Sequence, residues 1–430
     1  MARAAASDDL ASRRAALALV EAALDRRTGF DEALSGGDFS RLDERDRAFA
    51  RMLAMTVLRR LGAIDARLDQ RLNREPPEPV RSLLRLGAAQ ALYLGTPDFA
   101  AVDTSVRLAE GQRATRPFKG LVNGVLRALL REPRRDDDPE TLVPPWLFAR
   151  WRAAYGEEGA RAIAAIVPLE PATDVTPREP ADAAALAEAL DAAPLPGGSL
   201  RTPLRGDVAG WPGYVEGRWW VQDAAAAIPA RLLAAQPGET ALDLCAAPGG
   251  KTLQLAAAGA RVAALDRSAA RLGRVSASLA RTRLAAEVVA ADALNWADPR
   301  RFDAVLLDAP CSATGTFRRH PDVLWATRPA DIASLAKTQS RLLDAAAGRV
   351  ANGGRLVYCV CSLELEEGEA QADAFLGRHA DFRADPISPG EAGAPAAAAL
   401  PNGALRILPQ HLDGGIDGFF IARFARRQTD

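Results

Sequence analysis

The sequence has few of the residues that bind metals or form disulfides, with four cysteines and three histidines among 430 residues. So few cysteines exclude a disulfide framework, and Cys359 and Cys361 are closer together than the cysteines of a zinc pair. His379 and His411 have no partner at ligand spacing. The sequence therefore predicts no metal site and favours a reducing, cytoplasmic compartment.

The sequence also lacks a long apolar run and a strong net charge. Acidic and basic residues at 8, 9, 13 and 14 interrupt the amino-terminal apolar stretches, which excludes a signal peptide, and no other run could span a bilayer. The formal net charge is −1, so any nucleic-acid surface must be a local patch. We expect a soluble protein with no membrane partner, acting as a monomer.

The chain is long enough for two or three domains. Residues 10–132 have apolar residues at helical spacing, such as Leu17, Val20 and Leu24, and no strand-like alternation. Breaks at 35–38, 75–78 and 95–97 predict a bundle of five to seven helices. Within it, 101–135 carries eight basic residues against three acidic ones, which indicates either a solvated helix face or an RNA-contacting face.

The composition and hydrophobic pattern of the sequence change at two points after this region. A proline-rich and charged linker follows, and 146–215 reads as a short mixed segment. From 216 onward, short apolar runs alternate with helical stretches, which is typical of a doubly wound α/β domain. The predicted strands are Thr240–Cys245, Arg261–Asp266, Glu287–Ala290, Ala304–Asp308 and Arg355–Cys359.

The first of these strands passes directly into a glycine loop and a helix. The loop is Cys245, Ala246, Ala247, Pro248, Gly249, Gly250 and Lys251. Glycines let the backbone approach a ligand, and the start of a helix offers free N–H groups. A phosphate-binding Walker A loop is disfavoured because Cys245 stands where that motif requires glycine, and the spacing of a dinucleotide oxidoreductase is absent.

Acidic residues follow the later strands. Asp266, Asp292 and Asp308 stand at or just past successive strand ends. Each carboxylate alone could be a helix cap, but the ends of parallel strands converge on the crevice where α/β sheets bind ligands. An acidic residue at the position of Asp266 can bind the ribose of any adenosyl cofactor. The strand ends therefore predict one cofactor site.

All four cysteines also stand at or just past predicted strand ends, although buried core cysteine is the common alternative at such positions. Two thiols near an adenosyl site suggest covalent catalysis on an unreactive carbon, such as C5 of cytosine, which becomes nucleophilic only after addition at C6. Asp308 could hydrogen-bond N3 or N4 of the base and stabilise the charge shift. Such chemistry needs a base outside any stack, as in single-stranded or extruded RNA.

Several ordered motifs resemble a known family. They are Leu242–Thr252, Leu307–Gly315, Arg319–Asp322 with Trp325, and Tyr358–Ser362 followed by Glu366 and Glu367. They are similar to motifs of the Sun (Fmu, RsmB) family of RNA (cytosine-5) methyltransferases, and the similarity extends over about 216–425. Residues 10–132, with Gly120–Arg127 near their end, resemble the NusB-like domain of the bacterial RsmB branch, which acts on small-subunit ribosomal RNA.

This resemblance implies a fold and a division into domains. It implies an all-α NusB-like amino-terminal domain, a small α+β linker segment and a carboxyl-terminal α/β Rossmann-like class I methyltransferase domain. The expected boundaries are 1–135 for the helical RNA-binding domain, 136–215 for the linker and small RNA-binding insert, and 216–430 for the catalytic domain.

The resemblance also implies roles for the site residues. The loop from Cys245 to Lys251, with Asp266, Asp292 and Asp308, would bind S-adenosyl-L-methionine. Cys361 would be the nucleophile, and Cys311 would assist proton removal and product release; chemistry alone does not assign these two roles. The substrate would be a cytosine of 16S ribosomal RNA, and the rival interpretation is a non-catalytic RNA-binding factor for ribosome assembly. The chain departs from the family at Cys359 and Val360, where a small residue and threonine are usual.

Overall fold

The computed structural model describes residues 10–24, 30–34, 36–133 and 135–428. The chain forms two compact units, which we call the helical unit and the sheet unit. The helical unit holds the described residues up to Leu169 together with His320–Ala326, and the sheet unit holds Glu170–Arg319 and the described residues from Thr327 onward. None of the helices in these described ranges is long and apolar enough to cross a membrane.

The helical unit is built from amphipathic helices, as the spacing of its apolar residues predicts. Its helices are α1 (Ala11–Leu24), α2 (Phe30–Ala33), α3 (Glu44–Arg59), α4 (Leu61–Asp69), α5 (Glu78–Tyr93), α6 (Asp98–Gly111), α7 (Lys119–Leu129) and α8 (Pro145–Ala165). Leu17 and Val20 are buried in its core and Leu24 is partly buried. The predicted breaks at 75–78 and 95–97 precede α5 and α6, while Ser35 of the first break lies outside the described residues.

Several basic residues of the 101–135 stretch pair with neighbouring acids. Lys119 Nζ lies 2.8 Å from Glu110 Oε1, and Arg107 Nη1 lies 3.6 Å from Asp103 Oδ2. Both pairs are exposed, and exposed pairs contribute little to stability. These two pairs fit a solvated helix face, and an RNA-contacting role for the stretch stays a prediction.

The sheet unit begins with a small antiparallel sheet. Its elements are β1 (Thr173–Pro177), α9 (Ala183–Ala189), β2 (Ala193–Pro194), β3 (Leu200–Thr202) and β4 (Trp219–Val221). The strand order is β2-β3-β1-β4, and all pairs are antiparallel. Trp219, Trp211 and Leu186 bury one side of this sheet. The structure confirms that this segment combines helix and strand, as predicted.

The remainder forms the predicted doubly wound domain. Its strands are β5 (Thr240–Leu244), β6 (Arg261–Asp266), β7 (Glu287–Ala290), β8 (Phe302–Asp308), β9 (Val350–Val360), β10 (Phe382–Ala384), β11 (Leu405–Ile407) and β12 (Phe419–Arg426). Its helices are α10 (Ala224–Leu233), α11 (Gly250–Ala257), α12 (Ala269–Thr282), α14 (Pro329–Ala347) and α15 (Glu369–Arg378). The short helix α13 (Val323–Ala326) belongs to the helical unit. The order is β10-β12-β9-β8-β5-β6-β7, with β11 paired to β12. Strands β5 to β9 are parallel and β12 is antiparallel to β9.

Helices cover both faces of this sheet, which explains why its central strands are largely apolar. Residues of α10 and α11 pack on one face, and residues of α14 and α15 pack on the other. The predicted strands are confirmed, but β8 and β9 begin earlier than predicted. Phe302 pairs with Val350, and the register then shifts before Ala304 pairs with Arg355.

Candidate active site

The predicted glycine loop joins the end of β5 to the start of α11. Cys245 and Gly249 both have left-handed backbone conformations, with φ of 62° and 111°. A Cβ added at Gly249 would lie 3.2 Å from a side-chain carbon of Val275, a tight contact, and the left-handed φ itself favours glycine there. The first N–H groups of α11 have no partner within the helix, and they follow this loop directly. The loop therefore presents backbone donors at the carboxyl edge of the sheet.

Lys251, at the end of this loop, pairs with the carboxylate that ends β8. Its Nζ lies 2.7 Å from Asp308 Oδ2, and its side chain is only 10% exposed. Burial lowers the pKa of Lys251, but the Asp308 carboxylate more than offsets this and raises it above its ordinary value. Asp308 remains 28% exposed, so its carboxylate can contact a ligand while Lys251 holds it.

The register between β8 and β9 brings a cysteine to the other oxygen of this carboxylate. Asp308 pairs with Cys359, and the Cys359 thiol donates to Asp308 Oδ1 at 3.4 Å. Cys359 is buried, and burial raises the pKa of its thiol well above the usual value. Cys359 is thus a neighbour of Asp308 that stays protonated.

The other two predicted active-site cysteines meet just beyond the same strand ends. The Sγ atoms of Cys311 and Cys361 lie 3.5 Å apart, and both residues are partly exposed. The hydrogen bond with Cys361, burial and the charge of Glu367 raise the pKa of Cys311 well above its usual value. One thiol of the pair can therefore keep its proton while it contacts the other. Such a pair can add to a substrate carbon and also move a proton.

The remaining predicted acids differ in their surroundings. Asp266 is buried, and its carboxylate accepts hydrogen bonds from Ser268 N at 2.9 Å and Ala247 N at 3.3 Å. Asp266 thereby ties the glycine loop to the end of β6. Asp292 is exposed, and its Oδ1 accepts a hydrogen bond from Leu294 N at 3.0 Å.

A buried acid in β5 was not singled out from the sequence. Thr252 Oγ1 donates to Asp243 Oδ2 at 2.5 Å, and burial raises the pKa of Asp243 to about 7. Among the residues that the structure describes, no donor reaches its Oδ1. The alternation of β5 could have indicated Asp243, because a carboxylate between Leu242 and Leu244 is unusual in a buried strand.

A buried ion cluster supports the loop that follows Cys311. Arg318 Nη1 lies 3.1 Å from Asp223 Oδ2 and 3.5 Å from Asp417 Oδ1. Arg319 Nε donates to Asp417 Oδ2 at 3.0 Å. Asp223 also caps α10 by accepting a hydrogen bond from Ala225 N at 2.9 Å. Asp223 thus belongs both to the start of α10 and to the ion cluster.

Arg318→Met is expected to lower the free energy of unfolding by about 3 kcal/mol or more, because it leaves Asp223 and Asp417 buried with one cation fewer. Urea denaturation would measure this loss. Arg300→Met is the control, since Arg300 is itself exposed and pairs with the exposed Glu287, and its loss should cost less than about 1 kcal/mol. Equal losses in the two variants would contradict the prediction.

Comparison with known proteins places this site in a family. A model described as 16S rRNA methyltransferase RsmB/F matches residues 230–425, and a NusB family model matches residues 10–131. A protein of Sodalis glossinidius named ribosomal RNA small subunit methyltransferase B is 38% identical over 90% of this chain and 91% of its own length. The chain belongs to this methyltransferase family. The family member of Pseudomonas syringae pv. tomato is 36% identical over 96% of both chains.

A solved structure of a methyltransferase homologue has a similar fold. A methyltransferase homologue from Pyrococcus horikoshii is 26% identical and superposes with a TM-score of 0.54, covering 65% of this chain and 94% of that one. The family model spans β5 to β12 and so includes the loop, the acids and the cysteines described above. In the described ranges, no group of three or more His, Cys, Asp or Glu side chains could hold a metal ion.

Proposed function

We propose that this chain transfers a methyl group from S-adenosyl-L-methionine to C5 of a cytosine in small-subunit ribosomal RNA, through a covalent bond between Cys361 and C6. The observation that carries the proposal is the 3.5 Å separation of the Cys311 and Cys361 thiols, beside the Lys251–Asp308 pair. A structural role would not require two thiols in contact. Two thiols in contact at a cofactor edge fit a reaction that both makes and breaks a carbon–sulfur bond.

The cofactor would lie along the carboxyl edge of β5, β6 and β8. The glycine loop from Cys245 to Lys251, with Asp266, Asp292 and Asp308, would hold it. The buried Oδ1 of Asp243, which no donor among the described residues reaches, fits a ligand that brings a hydrogen-bond donor to this edge. When bound, S-adenosyl-L-methionine supplies an electrophilic methyl group.

The protein's own groups would prepare and release the base. The Cys361 thiolate adds to C6, and the electrons of the C5–C6 double bond make C5 nucleophilic. Asp308 hydrogen-bonds the polar edge of the cytosine and stabilises the charge that develops there. After C5 is methylated, Cys311 in its thiolate form takes the C5 proton, the electrons of the C5–H bond re-form the C5–C6 double bond, and Cys361 leaves C6 as a thiolate.

The choice of ribosomal RNA as the substrate rests on the names of the relatives and on the access that attack at C6 requires. The relatives are named ribosomal RNA small subunit methyltransferase B, and a NusB family model matches residues 10–131 of this chain. Attack at C6 requires a cytosine outside a stack, which single-stranded or extruded RNA provides. Ribosomal RNA is accordingly the proposed partner.

The direct test is transfer of a labelled methyl group from S-adenosyl-L-methionine to unmodified small-subunit RNA. We expect nucleoside digestion to recover the label as 5-methylcytidine. Label in another nucleoside would contradict the assigned position. RNA binding with no transfer by the wild-type chain would favour the non-catalytic assembly factor instead.

A further inference from the structure

A buried carboxylate lies behind the two thiols and has no part in the mechanism above. Glu367 is fully buried in the turn between β9 and α15. Its carboxylate accepts hydrogen bonds from Ser312 N at 3.0 Å and from Ser362 Oγ at 2.6 Å. Ser312 directly follows Cys311, and Ser362 directly follows Cys361. One side chain thus joins the two cysteine-bearing loops.

The contacts around Glu367 fix it from several elements. Ser312 Oγ donates to Oε2 at 2.5 Å, and Gln339 Nε2 of α14 donates to Oε1 at 3.0 Å. Gln339 Nε2 also donates to Pro310 O at 2.9 Å, which holds the loop before Cys311. The Tyr358 hydroxyl of β9 donates to the backbone oxygen of Glu367 at 2.5 Å.

Packing alone does not explain a carboxylate at this buried position. A buried carboxylate is costly unless donors compensate for the lost water, and an apolar side chain would avoid that cost. Here the compensating donors come mainly from the residues beside the two cysteines, which lie 50 positions apart in the chain. The position of Glu367 is therefore coupled to the separation of the thiols.

We propose that Glu367 is a positioning residue of the thiol pair: it holds the loops of Cys311 and Cys361 at one separation and places a negative charge beside Cys311. The proposal rests on the proposed function, because it assigns Glu367 to the release step of that reaction.

The charge of Glu367 predicts an effect on the pKa of Cys311 that a purely structural role would not produce. It is among the causes that raise the pKa of Cys311, after the hydrogen bond with Cys361, burial and the charge of Cys361. The other titratable or charged groups near the pair include Tyr358, Cys359, Glu364, Arg406, Arg319, Asp308 and Lys251. Glu367→Gln removes one negative charge and leaves these groups in place. The pKa of Cys311 should then fall, and proton removal by Cys311 should begin at lower pH.

The experiment follows decay of the protein–RNA adduct after a pH jump, using the full chain, S-adenosyl-L-methionine and unmodified small-subunit RNA. For Glu367→Gln, we expect the midpoint of the pH–rate profile for adduct decay to move down by about one unit. Ser312→Ala keeps the charge but removes a hydrogen bond. It should slow adduct formation about tenfold and leave the midpoint unchanged. Glu366→Gln is the matched control, because this neighbouring acid is exposed.

The outcomes separate the two proposals. An unshifted midpoint in Glu367→Gln, or a shift of equal size in Glu366→Gln, would overturn the role of Glu367. If Glu367→Gln does not fold, wild-type rates in Ser312→Ala would overturn it as well. A wild-type chain that forms no adduct and transfers no methyl group would refute the proposed function itself.

Discussion

Cys311→Ala is expected to slow turnover strongly and to leave the protein covalently joined to its RNA. By the proposed mechanism, the Cys361 thiolate would still add to C6 and C5 would still be methylated. The variant would lack the Cys311 thiol, whose Sγ lies 3.5 Å from that of Cys361 and which we propose takes the C5 proton. We expect the turnover rate to fall by about 10²–10⁴-fold, the range for loss of a general base. A band that survives denaturation on a gel, containing both protein and RNA, would report the adduct.

Two variants make this result specific. Cys361→Ala should form no adduct and transfer no methyl group, and the double variant Cys311→Ala/Cys361→Ala should behave in the same way. An adduct in the double variant would mean that another nucleophile attacks the base. An adduct in Cys361→Ala that is absent from Cys311→Ala would reverse the two roles.

Asp308→Asn is expected to slow methyl transfer by about 10²–10⁴-fold, because a neutral amide stabilises developing charge on the base less well. The substitution also leaves the Lys251 ammonium buried beside an uncharged group. Burial lowers the pKa of Lys251, and the Asp308 carboxylate is what offsets this. The site would then lose part of its positive charge as well. Single-turnover methyl transfer measures the effect free of product release.

Asp303→Asn is the matched control for this prediction. Asp303 lies at the opposite end of β8 and accepts hydrogen bonds from the backbone and hydroxyl of Thr240 at 2.9 and 2.7 Å. Its loss should lower stability and leave the single-turnover rate within a few-fold of wild type. If Asp308→Asn slowed the reaction no more than Asp303→Asn, Asp308 would have no contact with the reacting base.

Much of the fold follows from local patterns. The helical spacing in 10–132 and the apolar runs at Arg261–Asp266 and Glu287–Ala290 correspond to elements of the structure. The start of β9 was missed because the Asn352–Gly354 segment has the composition of a turn, while the strand pairing continues across it to Val350. Local signals describe a segment, whereas strand pairing depends on a neighbour distant in the chain.

The sequence by itself determined which residues stand at the carboxyl ends of the strands, because alternating strands and helices imply a parallel sheet whose strand ends share one edge. Only the tertiary structure decided which of those residues touch. The register of β8 on β9 sets Asp308 against Cys359, the loop conformations bring Cys311 to Cys361, and the packing of α14 and the turn before α15 closes the Glu367 contacts. Each contact requires two atoms from segments tens of residues apart to lie within hydrogen-bonding distance, which no local pattern encodes.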